Sequence, residues 1–309
     1  MVLYYLLAVF ASMAQGSTAW MLPQWGLLAC GLVVIAAWYI NATAINDISD
    51  YDIDQVNLRR DADRPLVTGV VSSRSLVVIA VLAGVVALAA AWPLGLAVTA
   101  WVGILLGFNA AYSLRPIAIS RRGGLALALL PLGYVGLTMP LGVAVGGGRW
   151  AGGVWLLIAL CYVQFVARLS LKDYRDVVGD AKHGKQTFLL RRGNASVVRL
   201  ALTMHWIAAG LAVWWLYAES PLQAIAYLFL AAAAAGLLLR LRQAATWPHQ
   251  RSWIAGYGRL VTGQAAVLLL DGLARADLMA GELQTTMLLI LVVATFGWSV
   301  RRVLARLRP

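Results

Sequence analysis

Long apolar segments constrain this chain more than any other feature of its sequence. A helix needs about 20 consecutive apolar residues to span a bilayer. Nine stretches approach that length: 25–46, 73–91, 93–111, 123–145, 151–171, 194–217, 221–241, 253–272 and 284–303. Hydrophobic residues make up 61% of the chain and charged residues 12%, whereas soluble domains are about half apolar and about a quarter charged. The sequence therefore predicts an all-α integral membrane protein, with about nine or ten transmembrane helices in one domain over residues 1–309.

The apolar stretch at the beginning of the chain, residues 2–16, is shorter than a full span. We expect it to be the remnant of a first span whose N-terminal half is missing from this sequence. A signal peptide is the alternative, but no basic residue precedes the apolar stretch, as one would in a signal peptide. Counting this segment as a span raises the expected number of helices from nine to ten.

The net charge of the chain is +12, and its basic residues are distributed as the expected topology predicts. When the chain is threaded with its N-terminus inside, only Arg149 and Arg275 of the 25 lysines and arginines fall on the outer side. Cytoplasmic loops of membrane proteins carry this excess of basic residues. The charge therefore predicts orientation, together with some phosphate binding, and does not indicate a nucleic-acid partner.

Nine of the thirteen acidic residues lie in or beside two long polar loops, 48–72 and 172–193, that the threading places on the cytoplasmic side. They are Asp47, Asp50, Asp52, Asp54, Asp61, Asp63, Asp173, Asp176 and Asp180. Two runs share the spacing Asp-x2-Asp-x3-Asp: the first is Asp47, Asp50 and Asp54, and the second is Asp173, Asp176 and Asp180.

On a helix, the three acids of such a run fall within about 60° of one another, because each residue turns about 100°. Carboxylates on one face repel each other unless a cation binds them, and magnesium prefers such oxygen ligands, usually together with substrate phosphates. Two runs can therefore hold one diphosphate between them. Asp52 lies about 160° from Asp54 and serves as an internal control. The alternatives are solvated loop charges, or calcium binding without catalysis.

Four ordered motifs resemble the UbiA superfamily of intramembrane prenyltransferases. The first runs from Asn41 through Asn46-Asp47-x2-Asp50-x3-Asp54, and Asp63-Arg64-Pro65-Leu66-Val67-Thr68-Gly69 follows it. The third is Tyr112-Ser113-Leu114-Arg115-Pro116 to Arg121-Arg122-Gly123, and the fourth is Asp173-x2-Asp176-x3-Asp180 followed by Gly184-Lys185-x-Thr187. The chain departs from the family pattern at Ser120, where a lysine is usual, and at Asp63, where asparagine is common.

The resemblance implies about nine helices around a central cavity that opens sideways to lipid. It also implies a Mg²⁺-dependent reaction in which an isoprenyl diphosphate ionises, pyrophosphate leaves, and an aromatic or lipid-like acceptor attacks the isoprenyl cation. The implied partners are the isoprenyl diphosphate, a hydrophobic acceptor and membrane lipid.

The motifs assign candidate roles to individual residues. Asp50 and Asp176 are the expected catalytic metal ligands, within a metal-binding set of Asn46, Asp47, Asp50, Asp54, Asp173, Asp176 and Asp180. The expected diphosphate-binding residues are Arg64, Tyr112, Arg121, Lys172 and Lys185. Aromatic rings can shield a carbocation through cation–π attraction, and the candidates for the prenyl-binding region are Asn41, Tyr39, Phe108, Tyr162 and Phe165.

Two other readings of the function remain open at this stage. A terpene cyclase or a phosphoribosyl-type transferase of the same fold would use the same acidic motifs with a different substrate. A non-catalytic transporter or binding protein for anionic lipids belongs to a different class. Transporters place charged groups midway along a broken span, whereas these carboxylates crowd at helix ends on one side, which favours an enzyme.

Overall fold

The computed structural model describes residues 1–14, 22–57, 64–244 and 246–307, and these ranges contain helices but no strand. Asp61 and Asp63, two of the acids singled out above, lie outside the described residues. The helices are α1 Val2–Met13, α2 Leu22–Ser49, α3 Tyr51–Asn57, α4 Ser73–Ala91, α5 Leu96–Ser113, α6 Gly124–Val145, α7 Gly152–Leu169, α8 Val177–Lys182, α9 Phe188–Leu216, α10 Pro221–Gln243, α11 Trp247–Arg275 and α12 Gly281–Leu307.

Eight of these helices are long and apolar enough to cross a membrane, namely α2, α4, α5, α6, α7, α9, α10 and α12. This confirms the expected all-α membrane protein. The expected count of nine or ten also included α1, which has only 12 residues, and the segment 253–272, which lies inside α11. That helix has 29 residues, but polar side chains such as Arg259 and Gln264 lower its hydropathy.

Local sequence signals set several helix boundaries. Ser72 caps α4, because its hydroxyl accepts a hydrogen bond of 3.1 Å from the backbone N–H of Ser75. Thr187 caps α9 in the same way through the backbone N–H of Leu190. Such caps satisfy amide donors that have no partner within the helix. Gly193 interrupts α9 with φ +74°, a conformation that favours glycine, so the regular part of the helix begins where the apolar segment 194–217 begins.

The helices pack mainly in neighbouring pairs: α2 with α4, α10 with α11, α7 with α9, α11 with α12, and α1 with α6. The α1–α6 pair is close because α6 presents glycine there. A Cβ atom on Gly142 would lie 2.5 Å from the carbonyl oxygen of Tyr5. Backbone approach of this kind between membrane helices depends on small residues. The short helix α1 is thereby anchored in the bundle, where it also contacts α7 and α11.

A buried amide pair joins three helices next to the first motif. The Asn41 side chain on α2 donates a 2.9 Å hydrogen bond to the carbonyl of Ala80 on α4. It accepts another of 2.9 Å from Asn109 on α5. Buried polar groups need such partners, and helices in a membrane use them to associate. Asn41 therefore positions the helix that carries the first acidic run.

The opposite end of the bundle holds a separate charged cluster. Asp271 is fully buried and accepts hydrogen bonds from the Nε1 of Trp215 at 2.8 Å and the Nε of Arg275 at 2.7 Å. Arg275 also pairs with Glu219. Arg275 is one of the two basic residues that the positive-inside threading placed outside, and two carboxylates here neutralise it.

Candidate active site

A cavity of about 220 Å³ lies where the two acidic segments meet the ends of α2, α5, α6 and α7. One part of its wall is polar and charged, and the other part contains the rings of Trp38 and Tyr134. Of the seven expected metal ligands, all but Asp47 line this cavity. The tertiary fold therefore brings together acids that are far apart in the chain.

The first acidic run keeps nearly helical geometry across the junction of α2 and α3. The N–H of Asp50 donates to the carbonyl of Asn46 at 2.9 Å, and the N–H of Asp54 donates to the carbonyl of Asp50 at 2.8 Å. Asp50 and Asp54 are buried, whereas Asp52 is exposed. At this run, the structure therefore separates Asp52 from Asp50 and Asp54, as the helical spacing predicts.

The second acidic run does not form one helix, so the helical-face expectation is wrong there. Asp173 lies in a 3-10 helix, Lys172–Tyr174, and Asp176 precedes α8 with non-helical φ and ψ angles of −105° and 7°. Within this segment, α8 packs against α3, and the 3-10 helix packs against α9 and α11. Asp173, Asp176 and Asp180 nevertheless all line the cavity.

Asn57 at the end of α3 fastens the two acidic segments together. Its side-chain Nδ2 donates to the carbonyl of Asp176 at 3.0 Å, and its Oδ1 accepts from the backbone N–H of Gly179 at 2.7 Å. Gly179 permits this approach, because a Cβ atom there would lie 2.5 Å from the Nδ2 of Asn57. The sequence does not predict this role of Asn57, because nothing in its local pattern indicates a partner in the second segment.

Lys185 links carboxylates from both segments. Its ammonium lies 3.1 Å from the Oδ2 of Asp50 and 3.5 Å from the Oδ1 of Asp180. Burial raises the pKa of Asp180 to about 6, although Lys185 acts in the opposite direction. Burial alone would lower the pKa of Lys185, but the carboxylates of Asp50 and Asp180 raise it above its ordinary value. The site is therefore a desolvated cluster of opposite charges.

Arg64 plays a similar part within the first segment. Its guanidinium pairs with the carboxylate of Asp47 and lies 3.3 Å from the Oδ2 of Asp54. Burial raises the pKa of Asp54 to about 6, while Arg64 lowers it and the nearby carboxylates of Asp176, Asp50 and Asp47 raise it further. The acids of this site are thus crowded enough that additional positive charge would stabilise their ionised forms.

The donor set of carboxylate and amide oxygens fits a hard divalent cation. Among the described residues, no three His, Cys, Asp or Glu side chains are grouped to hold a metal ion, and Lys185 and Arg64 provide the positive charge between the acids. Within the described part of the chain, the buried Oδ1 of Asp50 accepts no hydrogen bond, and the Oδ1 of Asp180 has only its ion pair with Lys185 at 3.5 Å. Buried carboxylate oxygens without a donor are suitable ligands for magnesium.

The expected diphosphate-binding residues divide into two groups. Arg64, Tyr112, Lys172 and Lys185 line the cavity, and the Nζ of Lys172 donates to the hydroxyl of Tyr112 at 3.0 Å. Arg121 does not line it; the preceding Ser120 does. The Oγ of Ser120 and the Nε of Arg121 are both buried without a hydrogen-bond partner in the described ranges.

The aromatic residues that were expected to shield the cation do not line the cavity. Tyr39 is 47% exposed, because it follows Trp38 and a helix turns about 100° per residue. The hydroxyl of Tyr162 donates to the carbonyl of Ala128. Phe165 stacks behind Tyr134 at 5.0 Å, and Phe108 lies 6.0 Å from the ring of Tyr112. The side chain of Asn41 makes hydrogen bonds with α4 and α5 and does not line the cavity.

Besides Tyr112, the rings of Trp38 and Tyr134 line the cavity, and these two rings meet edge to face at 5.4 Å. The sequence contains a signal that indicates Trp38. Trp38, Ala42, Asn46 and Asp50 all line the cavity. They succeed one another at intervals of four residues, which places them along one face of α2 and of the residue that follows it. Arg175 also lines the cavity and was not singled out, although it lies within the second acidic run.

Together, the fold and the cavity define an all-helical, multi-pass membrane protein whose two acidic segments converge at one end of the bundle. A family model described as the UbiA prenyltransferase family matches residues 2–263. The chain belongs to this family. Helix α12 lies beyond the matched region.

Two curated relatives illustrate the range of the family. Homogentisate phytyltransferase of Synechocystis sp. is 33% identical over 206 residues, which cover 62% of this chain and 65% of that protein. Digeranylgeranylglyceryl phosphate synthase of Ignicoccus hospitalis is 30% identical over 209 residues, which cover 65% of each chain. The chain thus spans slightly less than two thirds of the length of these relatives.

Two solved structures show the same fold. A UbiA homolog from Aeropyrum pernix K1 superimposes with a TM-score of 0.65 at 19% identity, covering 90% of this chain and 98% of that one. A UbiA homolog from Archaeoglobus fulgidus bound to GPP and Mg²⁺ superimposes with a TM-score of 0.56 at 16% identity, covering 98% and 95%.

We predict that Asn57→Ala loosens the two acidic segments relative to each other, because it removes both side-chain hydrogen bonds between α3 and the second segment. In a background with Cys30 and Cys161 replaced by alanine, spin labels are attached at Asp52→Cys and Val178→Cys, both exposed positions. Pulsed electron paramagnetic resonance then measures the distance between the two labels. The distance distribution should broaden in Asn57→Ala and stay narrow in Gln55→Ala, an exposed neighbour on α3. Equal widths in both variants would contradict this role of Asn57.

Proposed function

We propose that the chain catalyses Mg²⁺-dependent transfer of an isoprenyl group from an isoprenyl diphosphate to a hydrophobic acceptor, with release of pyrophosphate. The observation that carries the proposal is the convergence of both acidic segments, with Lys185 between Asp50 and Asp180, on a cavity whose other wall is aromatic. Membership of the family supports it, and so does the structural relative that holds GPP and Mg²⁺.

The charged part of the cavity would bind the diphosphate. Asp50 and Asp176 are the proposed central metal ligands, and the remaining ligands would come from Asn46, Asp47, Asp54, Asp173 and Asp180. When bound, Mg²⁺ would neutralise the negative charge that grows on the departing pyrophosphate. Arg64, Lys172 and Lys185 supply ammonium and guanidinium donors at the same wall, which suit phosphate oxygens.

The aromatic part of the cavity would receive the isoprenyl group. When the allylic C–O bond breaks, its electron pair leaves with the pyrophosphate and the carbon becomes cationic. The faces of Trp38 and Tyr134 can stabilise such a cation through their π electrons. An electron pair of the acceptor then forms the new bond to that carbon, and the acceptor loses a proton. Exclusion of water from this apolar wall would protect the cation from hydrolysis.

We further propose that the acidic segments face the cytoplasm, since the basic residues concentrate at that end of the helices. A membrane-impermeant maleimide applied to intact cells tests this orientation in a background lacking Cys30 and Cys161. Val178→Cys, beside the second acidic run, should react only after permeabilisation. Asp277→Cys, exposed between α11 and α12 at the opposite end, should react directly. The reverse pattern would overturn the orientation without affecting the proposed chemistry.

The reaction itself is tested by the acidic residues. Asp50→Asn and Asp176→Asn should remain folded but lose several orders of magnitude in pyrophosphate release, because each variant removes charge that holds the metal. Metal charge stabilisation contributes several kcal/mol, and about 1.4 kcal/mol corresponds to a tenfold change in rate. Added Mg²⁺ should restore either variant only in part.

Asp52→Asn is the matched control for this assay, because Asp52 belongs to the same run but is exposed. It should retain nearly full activity. A loss as large as that of Asp50→Asn would show that position on the helix face does not select the ligands. Diphosphate binding without any pyrophosphate release by the unmodified protein would favour a non-catalytic anionic-lipid binding protein.

A further inference from the structure

A groove separate from the acidic cavity lies between α10, α11 and α12. Its volume is about 320 Å³, and none of its described lining residues also lines the acidic cavity. Helix α12 contributes Phe296, Ser299 and Val300 to the wall. Because α12 lies beyond residues 2–263, the region that matches the family model, that match does not account for this groove.

One face of α10 forms the long apolar side of the groove. Ala233, Gly236 and Arg240 all line it, and their spacing of three and four residues places them on one side of the helix. Gly236 leaves this side open, because a Cβ atom there would meet no other atom within 4 Å. One turn before Ala233, the ring of Phe229 lies 5.1 Å from that of Phe296 on α12. The two helices therefore meet at the apolar end of the groove, and Arg240 lies at the other end.

A buried hydroxyl without a partner faces the groove. Ser299 is 1% exposed, it lines the groove, and its Oγ makes no hydrogen bond with any described residue. Polar side chains of membrane helices ordinarily bond to neighbouring helices, and burial of an unbonded hydroxyl costs free energy. The Oγ of Ser299 is therefore available to donate to an oxygen of a bound molecule.

The helices that form the groove carry only basic charge at this end. Arg240 is exposed, and the sequence contains no aspartate or glutamate between Glu219 and Asp271 or after Glu282. All described lining residues of the groove fall within these two acid-free stretches. Trp253, near the beginning of α11, also lines the groove, and tryptophan is enriched where a membrane meets water. A cation and an interfacial ring beside an apolar wall are complementary to an anionic lipid.

The basic end of the groove lies at the same end of the bundle as the acidic segments. The carbonyl of Arg242, near the end of α10, accepts a 3.1 Å hydrogen bond from the Nδ2 of Asn194. The Oδ1 of Asn194 in turn accepts a hydrogen bond from the hydroxyl of Tyr174, which lies in the second acidic segment. A lipid with its headgroup at Arg240 would therefore belong to the leaflet on the side of the acidic cavity.

We propose that this groove binds one anionic phospholipid of that leaflet. The guanidinium of Arg240 binds the phosphate of a headgroup that carries no compensating cation, through charge-assisted hydrogen bonds. The hydroxyl of Ser299 donates to an ester carbonyl of the lipid, and one acyl chain lies along Ala233, Gly236 and Phe296. The inference goes beyond the proposed function and does not depend on it, because lipid binding requires no turnover.

Native mass spectrometry of the full chain in detergent, titrated with phosphatidylglycerol or with phosphatidylcholine of the same acyl chains, tests the headgroup contact. One phosphatidylglycerol should bind about tenfold more tightly than phosphatidylcholine, which corresponds to about 1.4 kcal/mol. Arg240→Gln should remove this preference, and Arg240→Lys should keep most of it because the charge remains. Arg242→Gln is the matched control, since Arg242 is also exposed but lies about 200° around α10 from Arg240. Equal affinities for the two lipids, or an equal effect of Arg242→Gln, would overturn the inference.

Two further variants test whether the lipid lies in the groove itself. Gly236→Leu places a side chain in the open space along α10 and should abolish binding of both lipids. Gly210→Leu is its control, because Gly210 is an exposed glycine of α9 whose added Cβ atom would also meet nothing within 4 Å. Ser299→Ala should weaken both lipids several-fold, because it removes the donor to the ester that they share. Unchanged affinities in Gly236→Leu and Ser299→Ala would place the lipid elsewhere and overturn the inference.

The same spectra distinguish the lipid from two other occupants of the groove. The expected result is one bound phosphatidylglycerol that persists in millimolar inorganic phosphate, with the same oligomeric state in the unmodified protein and in Gly236→Leu. Displacement of the lipid by inorganic phosphate would overturn the inference and identify a site for free phosphate. A dimer of the unmodified protein that Gly236→Leu dissociates would also overturn it, because a second copy of the chain would then fill the groove.

Discussion

The site depends on one shared charge interaction, the ammonium of Lys185 between the carboxylates of Asp50 and Asp180. Lys185 and Asp50 are 135 positions apart in the chain, so this contact joins segments that only the folded bundle can bring together. All three side chains are buried, and buried charges are tolerated only when they are paired. The Asn57 side chain adds two hydrogen bonds between the same segments: it donates one to the carbonyl of Asp176 and accepts one from the N–H of Gly179. Charge pairing and hydrogen bonding thus hold the two halves of the site in register.

The membrane environment explains why polar side chains inside the bundle are few and mostly have hydrogen-bond partners. In hydrocarbon, an unpaired polar group costs several kcal/mol, and the described polar side chains inside the bundle mostly have partners, as Asn41 and Asn109 do. Asp271 and Arg275 neutralise each other at the far end. The apolar surface of α12 needs no such partner, because lipid can cover it. The Oδ1 of Asp50 is buried without a hydrogen-bond partner among the described residues, and it lies at the site where a cation is expected to bind.

Much of this architecture can be predicted from the sequence, because each long apolar segment directly indicates a helix. The first acidic run was also predictable, since Asp50 and Asp54 follow a helical period and Asp52 does not. The second run was not, because Asp173 and Asp176 lie in a 3-10 helix and a turn, within a segment that packs against α3, α9 and α11. The aromatic residues of the cavity were not predicted, for a different reason. Residue type suggested Tyr39 on α2, but the preceding residue, Trp38, lines the cavity instead. Which ring faces a cavity depends on helix rotation, and that rotation is set by neighbouring helices.

The central claim is that both acidic segments hold one magnesium-bound diphosphate. A double-mutant cycle tests it most directly, using the Mg²⁺-dependent affinity for a non-reactive thio analogue of geranyl diphosphate. Asp50→Asn and Asp180→Asn should each weaken binding at least about tenfold, and the double variant should lose far less than the product of the two, because residues that share one ligand couple by about 0.5–3 kcal/mol. Losses that multiply, to within the additivity of about 0.5 kcal/mol expected for independent sites, would contradict the shared site.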